Sequence, residues 1–119
     1  MSTISKIINS AFTRRKIELQ DDGVVLRDFV CVHDLTRILS YCIRNKISGL
    51  FNVATGKSRS IKNYAQSIAY LMQHQVEILS LESNKVNRNY DLVFDQTTFF
   101  EKFNDFEFTE FSKTLMEYF

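Results

Sequence analysis

The chain is poor in the residues that mark several common protein classes. Its 119 residues include no proline, no tryptophan, three glycines and two cysteines. With so few glycines it has no G-x-x-G-x-x-G loop, the turn that cradles a dinucleotide. Cys31 and Cys42 have no metal-binding spacing, so we interpret them as small buried apolar side chains rather than as a disulfide or metal site.

Long apolar runs and charge of one sign are also missing. No apolar stretch reaches the roughly 18 residues of a membrane helix, and no secretory segment is visible, so the cytoplasm is the expected location. The formal net charge is +1, which argues against binding to nucleic acid or to a membrane surface. The length and the 45% hydrophobic content predict a single domain, 1–119, with a modest core.

The most informative stretch runs from Val24 to Leu39. Its first half is rich in β-branched and aromatic residues and follows Gly23, which predicts a strand. Its second half has apolar residues at helical spacing, namely Leu35, Ile38, Leu39, Cys42 and Ile43. Asp34 stands where an N-cap belongs, so a buried strand is expected to lead directly into an amphipathic helix.

Five segments, in order, resemble the carboxy-terminal part of the NAD-dependent epimerase/dehydratase family, the nucleotide-sugar enzymes among the extended short-chain dehydrogenases/reductases. Residues 27–35 read Arg-Asp-Phe-Val-Cys-Val-His-Asp-Leu, similar to the family's R-D-F/Y-V-H/Y-V-x-D-L/V. Residues 49–56 resemble G-x-F/Y-N-V/I-G-x-G, and 60–62 resemble the S-I/V-x that opens the next helix. Residues 88–91 match R-P-x-D except at the proline, and Asp95 matches the aspartate of D-x-S/T-K.

This resemblance implies a substrate-binding lobe without the Rossmann domain that carries the family's cofactor. A full-length member would use NAD(P) and an NDP-sugar, and the arginines at the positions of Arg27 and Arg88 would reach the sugar diphosphate. The family's catalytic Tyr-x-x-x-Lys is absent, since no tyrosine here has a lysine four positions later. No catalytic, cofactor or metal residue is therefore assigned, and the chain is expected to be inactive alone. Asp21 also departs from the Gly-x-Gly that the family often has at 21–23.

Each of these residues also has a plainer interpretation. Arg27 would form a surface ion pair with Asp28 or Asp34, and Arg88 one with Asp91. His33 beside Asp34 suggests a general base with its orienting carboxylate, but adjacent residues at a strand-to-helix junction point apart, which favours Asp34 as a cap.

The rest of the chain predicts a small mixed α/β domain of short strands with about four to five helices. Further helices are expected after caps at Ser2 or Thr3, at Ser60, at Asp95 and at Thr109-Glu110. Further strands are expected at 17–19, 50–54, 76–81 and 90–94. Asn52, in the strand at 50–54, would satisfy neighbouring backbone groups. Gly56-Lys57-Ser58 lacks the first glycine of a P-loop, so a plain turn is preferred.

Phenylalanine is concentrated near the carboxyl end. The rings at 99, 100, 103, 106, 108 and 111 exceed what two short helices should bury, so we expect an open apolar face. Such a face predicts self-association or a Rossmann-domain partner. A small interaction module that keeps only the fold is therefore the alternative function, and a compact aromatic core is the plainer structural interpretation.

Overall fold

A computed structural model describes residues 2–82 and 90–117. The α-helices are α1 Thr3–Arg14, α2 Val32–Asn45, α3 Ile61–Leu71, α4 Thr97–Lys102 and α5 Phe111–Met116. The strands are β1 Lys16–Gln20, β2 Leu26–Arg27, β3 Arg59–Ser60 and β4 Glu77–Leu81, and a 3-10 turn covers Asp21–Gly23. The mixed α/β prediction with four to five helices is confirmed. The chain packs as two compact units, so the single-domain interpretation of 1–119 stays a prediction.

Unit 1, the described parts of 1–27 and 59–91, is built on a pair of parallel strands. β1 and β4 pair in register from Lys16 with Glu77 to Gln20 with Leu81. Helices α1 and α3 contact each other and the strands. Between them lie buried apolar side chains at helix or strand spacing, including Ile7, Ala11, Ile17, Leu19, Tyr64, Ala65, Ile68 and Ala69.

The predicted elements of unit 1 are largely confirmed. The side chain of Ser2 accepts a hydrogen bond from the backbone N–H of Ser5, and that of Ser60 accepts one from Asn63. Each serine thereby satisfies one of the free N–H groups at a helix start. Both helices begin where the sequence placed them.

The strand predicted after Gly23 is much shorter than expected. Only Leu26 and Arg27 are strand residues, paired antiparallel with Ser60 and Arg59. A strand extends only as far as its partner offers hydrogen bonds, and β3 is two residues long. Cys31 lies after the strand, half-buried, at the N-cap of α2.

Unit 2, the described parts of 28–58 and 92–118, contains helices and loops. The prediction of a buried strand at 50–54 is wrong: Leu50 is 97% exposed, Asn52 is also exposed, and no described residue of this segment is in a strand. The strand predicted at 90–94 is also absent. The Asp91 carboxylate in unit 1 instead accepts a bond of 2.8 Å from the Leu26 N–H.

The carboxy-terminal phenylalanines form the core of unit 2. Phe99 and Phe103 are buried with Ile38, and their rings stack with centroids 4.6 Å apart. Phe100, Phe106 and Phe108 pack around them, half-buried. The predicted open phenylalanine face is therefore wrong, and the plainer interpretation of an aromatic core holds.

Helix α2 exposes much of the apolar face that was expected to be buried. Ile38 is buried and Cys42 half-buried, as predicted for that face. Leu35, Leu39 and Ile43 are exposed, Ile43 by 79%. Val32 lies on the same side at helical spacing and is exposed too. We call the outward residues Val32, Leu35, Leu39 and Ile43 the α2 stripe.

Candidate functional site

Arg27 lies at the end of β2 in unit 1 and is held there by backbone groups. Its Nη1 donates to the carbonyl oxygens of Leu26 at 2.7 Å and Tyr90 at 2.6 Å. Its own carbonyl accepts a bond of 3.1 Å from the Tyr64 hydroxyl on α3. Among the described residues, nothing accepts a hydrogen bond from its Nε or Nη2. The guanidinium is thus oriented, with donors remaining for a ligand.

Arg27 also lines a cavity of about 320 Å³ within unit 1. Its apolar wall includes Leu19, Val25 and Ile61. Its polar wall comprises Thr3, Lys6, Glu18, Gln20, Gly23 and Arg27. Glu18 is engaged by Lys16 at 3.3 Å and Arg14 at 3.7 Å, which offsets its negative charge. Lys6 and Arg27 therefore give the cavity a cationic character suited to a small anion.

The turn before β2 brings the backbone close to this cavity. Gly23 has φ +63°, and a Cβ there would lie 2.9 Å from the Lys62 backbone nitrogen. Asp21, where the family often has glycine, also takes a positive φ of 48°. A non-glycine residue in this region is uncommon, although aspartate tolerates it better than most.

The ion pairs proposed as the plain interpretation of Arg27 do not form. Asp28 accepts hydrogen bonds from the Thr55 hydroxyl at 2.7 Å and the Gly56 N–H at 2.9 Å. These bonds fix the loop after Ala54, and Lys57 in that loop pairs with Glu110 at 2.6 Å. The preference for a plain turn over a P-loop at 56–58 agrees with this arrangement.

Asp34 is neither an N-cap nor part of a catalytic dyad. It is the third residue of α2 and only 1% exposed. Its carboxylate accepts bonds from the Thr109 N–H at 2.7 Å and hydroxyl at 2.9 Å, and from Arg37 at 2.9 Å. His33 is exposed and lies 3.5 Å from Glu117 instead. Asp34 therefore ties α2 to the segment before α5.

Arg88 lies outside the described residues, so its predicted role stays a prediction. The sequence also gave no indication that Lys6 borders the same cavity as Arg27, since the two belong to different elements. Only the packing of α1 beside β1 brings them to one wall.

The glycines do not suit a dinucleotide. Gly23 closes a 3-10 turn, and Gly49 and Gly56 lie in loops with φ +123° and +71°. None begins a helix, where a dinucleotide's pyrophosphate would sit on free N–H groups. The space beside Gly56 is filled by the Gln96 side chain. Within 2–82 and 90–117 no three His, Cys, Asp or Glu residues gather as metal ligands, and no helix there is long and apolar enough to cross a bilayer.

No family model matches the chain. The ADP-L-glycero-D-manno-heptose-6-epimerase of Fusobacterium nucleatum is 35% identical over 66 residues, which cover 55% of this chain and 19% of that enzyme. The chain thus spans about a fifth of that relative.

Solved structures match nearly the whole chain. A GDP-L-fucose synthetase from Naegleria fowleri has a TM-score of 0.83 at 16% identity, over 98% of this chain and 37% of its own. The UDP-N-acetylglucosamine 4-epimerase of Methanobrevibacter ruminantium has a TM-score of 0.79 at 22% identity, over 98% and 37%. The resemblance to the NAD-dependent epimerase/dehydratase family is therefore confirmed, in that the chain has the fold of rather more than a third of such an enzyme.

Proposed function

We propose that the chain is the substrate-binding lobe of a nucleotide-sugar epimerase or dehydratase, and that its unit 1 cavity binds the diphosphate of an NDP-sugar. The observation that carries this proposal is that Arg27, whose guanidinium is oriented by backbone carbonyls, lines the cavity together with Lys6. A guanidinium binds phosphate oxygens in two places and stays charged at any working pH.

The geometry also suits the size of such a group. A cavity of about 320 Å³ is at the lower end of ligand pockets, which measure roughly 300–1,000 Å³. It is large enough for the phosphate-bearing part of a nucleotide sugar. The apolar wall formed by Leu19, Val25 and Ile61 offers a surface for a base or sugar ring.

The test is titration of the whole chain with UDP-glucose and dTDP-glucose by calorimetry. A charge-assisted hydrogen bond contributes about 1.5–3 kcal/mol, so Arg27→Ala should weaken binding about 10- to 100-fold. Arg44→Ala removes the same charge from the exposed face of α2 in unit 2 and should leave binding unchanged. Binding that Arg27→Ala does not weaken would contradict the proposal, as would the absence of saturable binding.

We also propose that the chain transfers no hydride by itself. The sequence has neither the glycine loop for NAD(P) nor the Tyr-x-x-x-Lys pair, and the glycines do not fit a dinucleotide. Adding NAD+ and UDP-glucose should produce no absorbance at the wavelength of reduced nicotinamide. Reduction of the cofactor would overturn this part of the proposal.

A second candidate function, a protein-interaction module, is favoured by the α2 stripe rather than by the phenylalanines. Four exposed apolar side chains on one helix face exceed the scattered apolar residues of an ordinary surface. Arg37, Arg44 and Lys46 accompany the stripe, while Asp34 is the only acid in α2. Two such helices packed antiparallel would repel, so a partner with acidic residues around an apolar patch, such as a separate Rossmann domain, fits better than a second copy.

Light scattering of the chain alone tests for binding of a second copy, and a monomer is the result that the basic residues around the stripe predict. Association that is lost in Leu39→Glu but kept in Tyr70→Ser, an exposed aromatic of unit 1, would place the contact on the α2 stripe. If both variants associate equally, the stripe is not the contact.

A further inference from the structure

One edge of β2 is closed by side chains rather than by a further strand. On the opposite edge β2 pairs with β3, and the Val25 carbonyl accepts a bond of 3.1 Å from the Ile61 N–H. Consecutive residues of a strand direct their backbone groups to opposite edges, so those of Leu26 point away from β3. The Leu26 N–H donates to the Asp91 carboxylate at 2.8 Å, and the Leu26 carbonyl accepts from the Arg27 guanidinium at 2.7 Å. Both backbone groups on this edge are therefore satisfied by side chains.

Asp91 anchors the short segment that orients the Arg27 side chain. Tyr90, the residue before it, supplies the carbonyl oxygen that accepts a bond of 2.6 Å from Nη1 of Arg27. The strand itself is fixed separately, by β3 and by the Tyr64 hydroxyl, which donates to the Arg27 carbonyl at 3.1 Å. The bond between Asp91 and Leu26 therefore sets where the Tyr90 carbonyl lies. That carbonyl in turn sets the direction of the guanidinium.

A direct role in anion binding does not suit Asp91. Its carboxylate is exposed and would repel an anion. Its hydrogen bond goes to a backbone N–H, and no ion pair joins it to Arg27 among the residues that the structure describes. We propose that Asp91 is a positioning residue, which aligns the guanidinium of Arg27 through the backbone of Tyr90. The inference rests on the proposed function for the ligand that Arg27 binds, and it depends on the hydrogen bond of Asp91 rather than on its charge.

Calorimetry of the whole chain with UDP-glucose separates positioning from charge. Asp91→Ala removes a repelling charge, yet it should weaken binding about 3- to 10-fold, the worth of one hydrogen bond, because the bond to Leu26 is lost. Asp91→Asn keeps an acceptor oxygen without the charge and should bind at least as tightly as the wild type. Glu77→Gln removes an exposed carboxylate of unit 1 that does not line the cavity, and it should leave binding unchanged. Any result in which Asp91→Ala and Asp91→Asn change the affinity alike would contradict the inference.

A measurement without ligand tests Asp91 apart from the proposed function. A guanidinium whose Nη1 is held by a carbonyl rotates slowly, and NMR exchange measurements on the side-chain nitrogens report that rotation. The rotation of the Arg27 group, assigned from the spectrum of Arg27→Ala, should be faster in Asp91→Ala and unchanged in Asp91→Asn, while circular dichroism shows the same fold in both. Wild-type chain that does not bind UDP-glucose would remove the proposed function and leave the NMR result to decide on Asp91. Rotation that is no faster in Asp91→Ala would overturn this inference alone.

Discussion

The two units bury different kinds of core and start their helices in different ways. Unit 1 packs aliphatic side chains between two long helices and a parallel strand pair. Unit 2 packs phenylalanine rings around Ile38, and its described residues include no strand. Both long helices of unit 1 have a serine N-cap with a side-chain bond, whereas none of the three helices of unit 2 has one.

This difference shows where the local sequence pattern is sufficient to predict the secondary structure. In unit 1 the segments at 16–20 and 77–81 pair with each other and take the predicted form, whereas the strand after Gly23 is limited to the two residues that pair with β3. The segment 50–54 of unit 2 has a strand-like sequence but no partner strand among the residues the structure describes. An isolated strand cannot satisfy its backbone groups by itself.

The largest effect should come from the aromatic core. Phe99 is fully buried and lies within 6.1 Å, centroid to centroid, of five other phenylalanine rings. Phe99→Ala should lower the free energy of unfolding by about 3–5 kcal/mol. Phe94→Ala, at a ring that is 44% exposed, should cost well under half of that. Urea unfolding followed by circular dichroism measures both, and equal losses would refute an aromatic core in unit 2.

The Asp34 carboxylate should be next in importance. Asp34→Asn loses the charge and replaces one acceptor oxygen by a donor that faces the Thr109 groups or Arg37. A buried group left without its partner costs about 1–3 kcal/mol, so we expect a loss near 2–3 kcal/mol in the same urea experiment. Arg37→Ala leaves the Thr109 bonds intact, and its side chain is largely exposed, so about 1 kcal/mol or less is expected. A larger cost for Arg37→Ala would show that the ion pair, not the Thr109 contact, holds this part of unit 2.

Glycine-to-alanine substitutions, one in each unit, compare how easily the atoms beside each glycine can move. Gly23 and Gly56 both have left-handed backbones, with φ +63° and +71°. An added Cβ meets the Lys62 backbone at Gly23, but the movable end of the Gln96 side chain at Gly56. We expect Gly23→Ala to cost about 2 kcal/mol and Gly56→Ala about 1 kcal/mol, measured by thermal unfolding. The reverse order would mean that Gln96 is the more rigid neighbour.

Substitutions at the helix N-caps should change the free energy of unfolding by a smaller amount, and in opposite directions in the two units. Ser60→Ala should destabilise the chain by about 1 kcal/mol through loss of the bond to Asn63. Cys31, the N-cap of α2, has φ −65° and ψ 137°, close to the −66° and 150° of Ser60. Cys31→Ser should therefore create a cap and stabilise by about 0.5–1 kcal/mol. If Cys31→Ser leaves the free energy of unfolding unchanged, the first N–H groups of α2 are not oriented toward residue 31 as those of α3 are toward Ser60.

The smallest effect concerns the start of α4. The Thr97 hydroxyl and then the Thr97 N–H, both bonded to Asp95, lower the pKa of that carboxyl from 3.8. A lowered pKa stabilises the folded chain above the unfolded value, and this contribution is lost as pH falls through the folded value. Carboxyl titration by NMR should show the lowered pKa, which Thr97→Val raises toward 3.8 and Thr98→Val does not. An Asp95 pKa that ignores Thr97→Val would contradict the hydrogen bond.

Much of unit 1 could be predicted because its signals are local. The serine before each helix, the apolar spacing of α1 and α3, and the short strands at 16–20 and 77–81 are all visible within a few residues. The contacts around Arg27 could not be predicted in this way, because they join distant residues. Tyr90 is 63 positions from Arg27, and Asp91 is 65 positions from Leu26. The same holds for the Asp34–Thr109 contact across 75 positions. The Asp34 carboxylate, which the sequence predicts to be a helix N-cap, instead accepts hydrogen bonds from Thr109.

The parallel pairing of β1 with β4 has a consequence for how the chain is made. Lys16 leaves the ribosome about sixty residues before Glu77, its partner in the sheet. At roughly 5–20 residues per second, β1 waits about 3–12 s during synthesis with its hydrogen-bonding edge unfilled. All of 28–58 emerges during that interval, so the unpaired edge of β1 is available for misassembly or chaperone binding until β4 has been made.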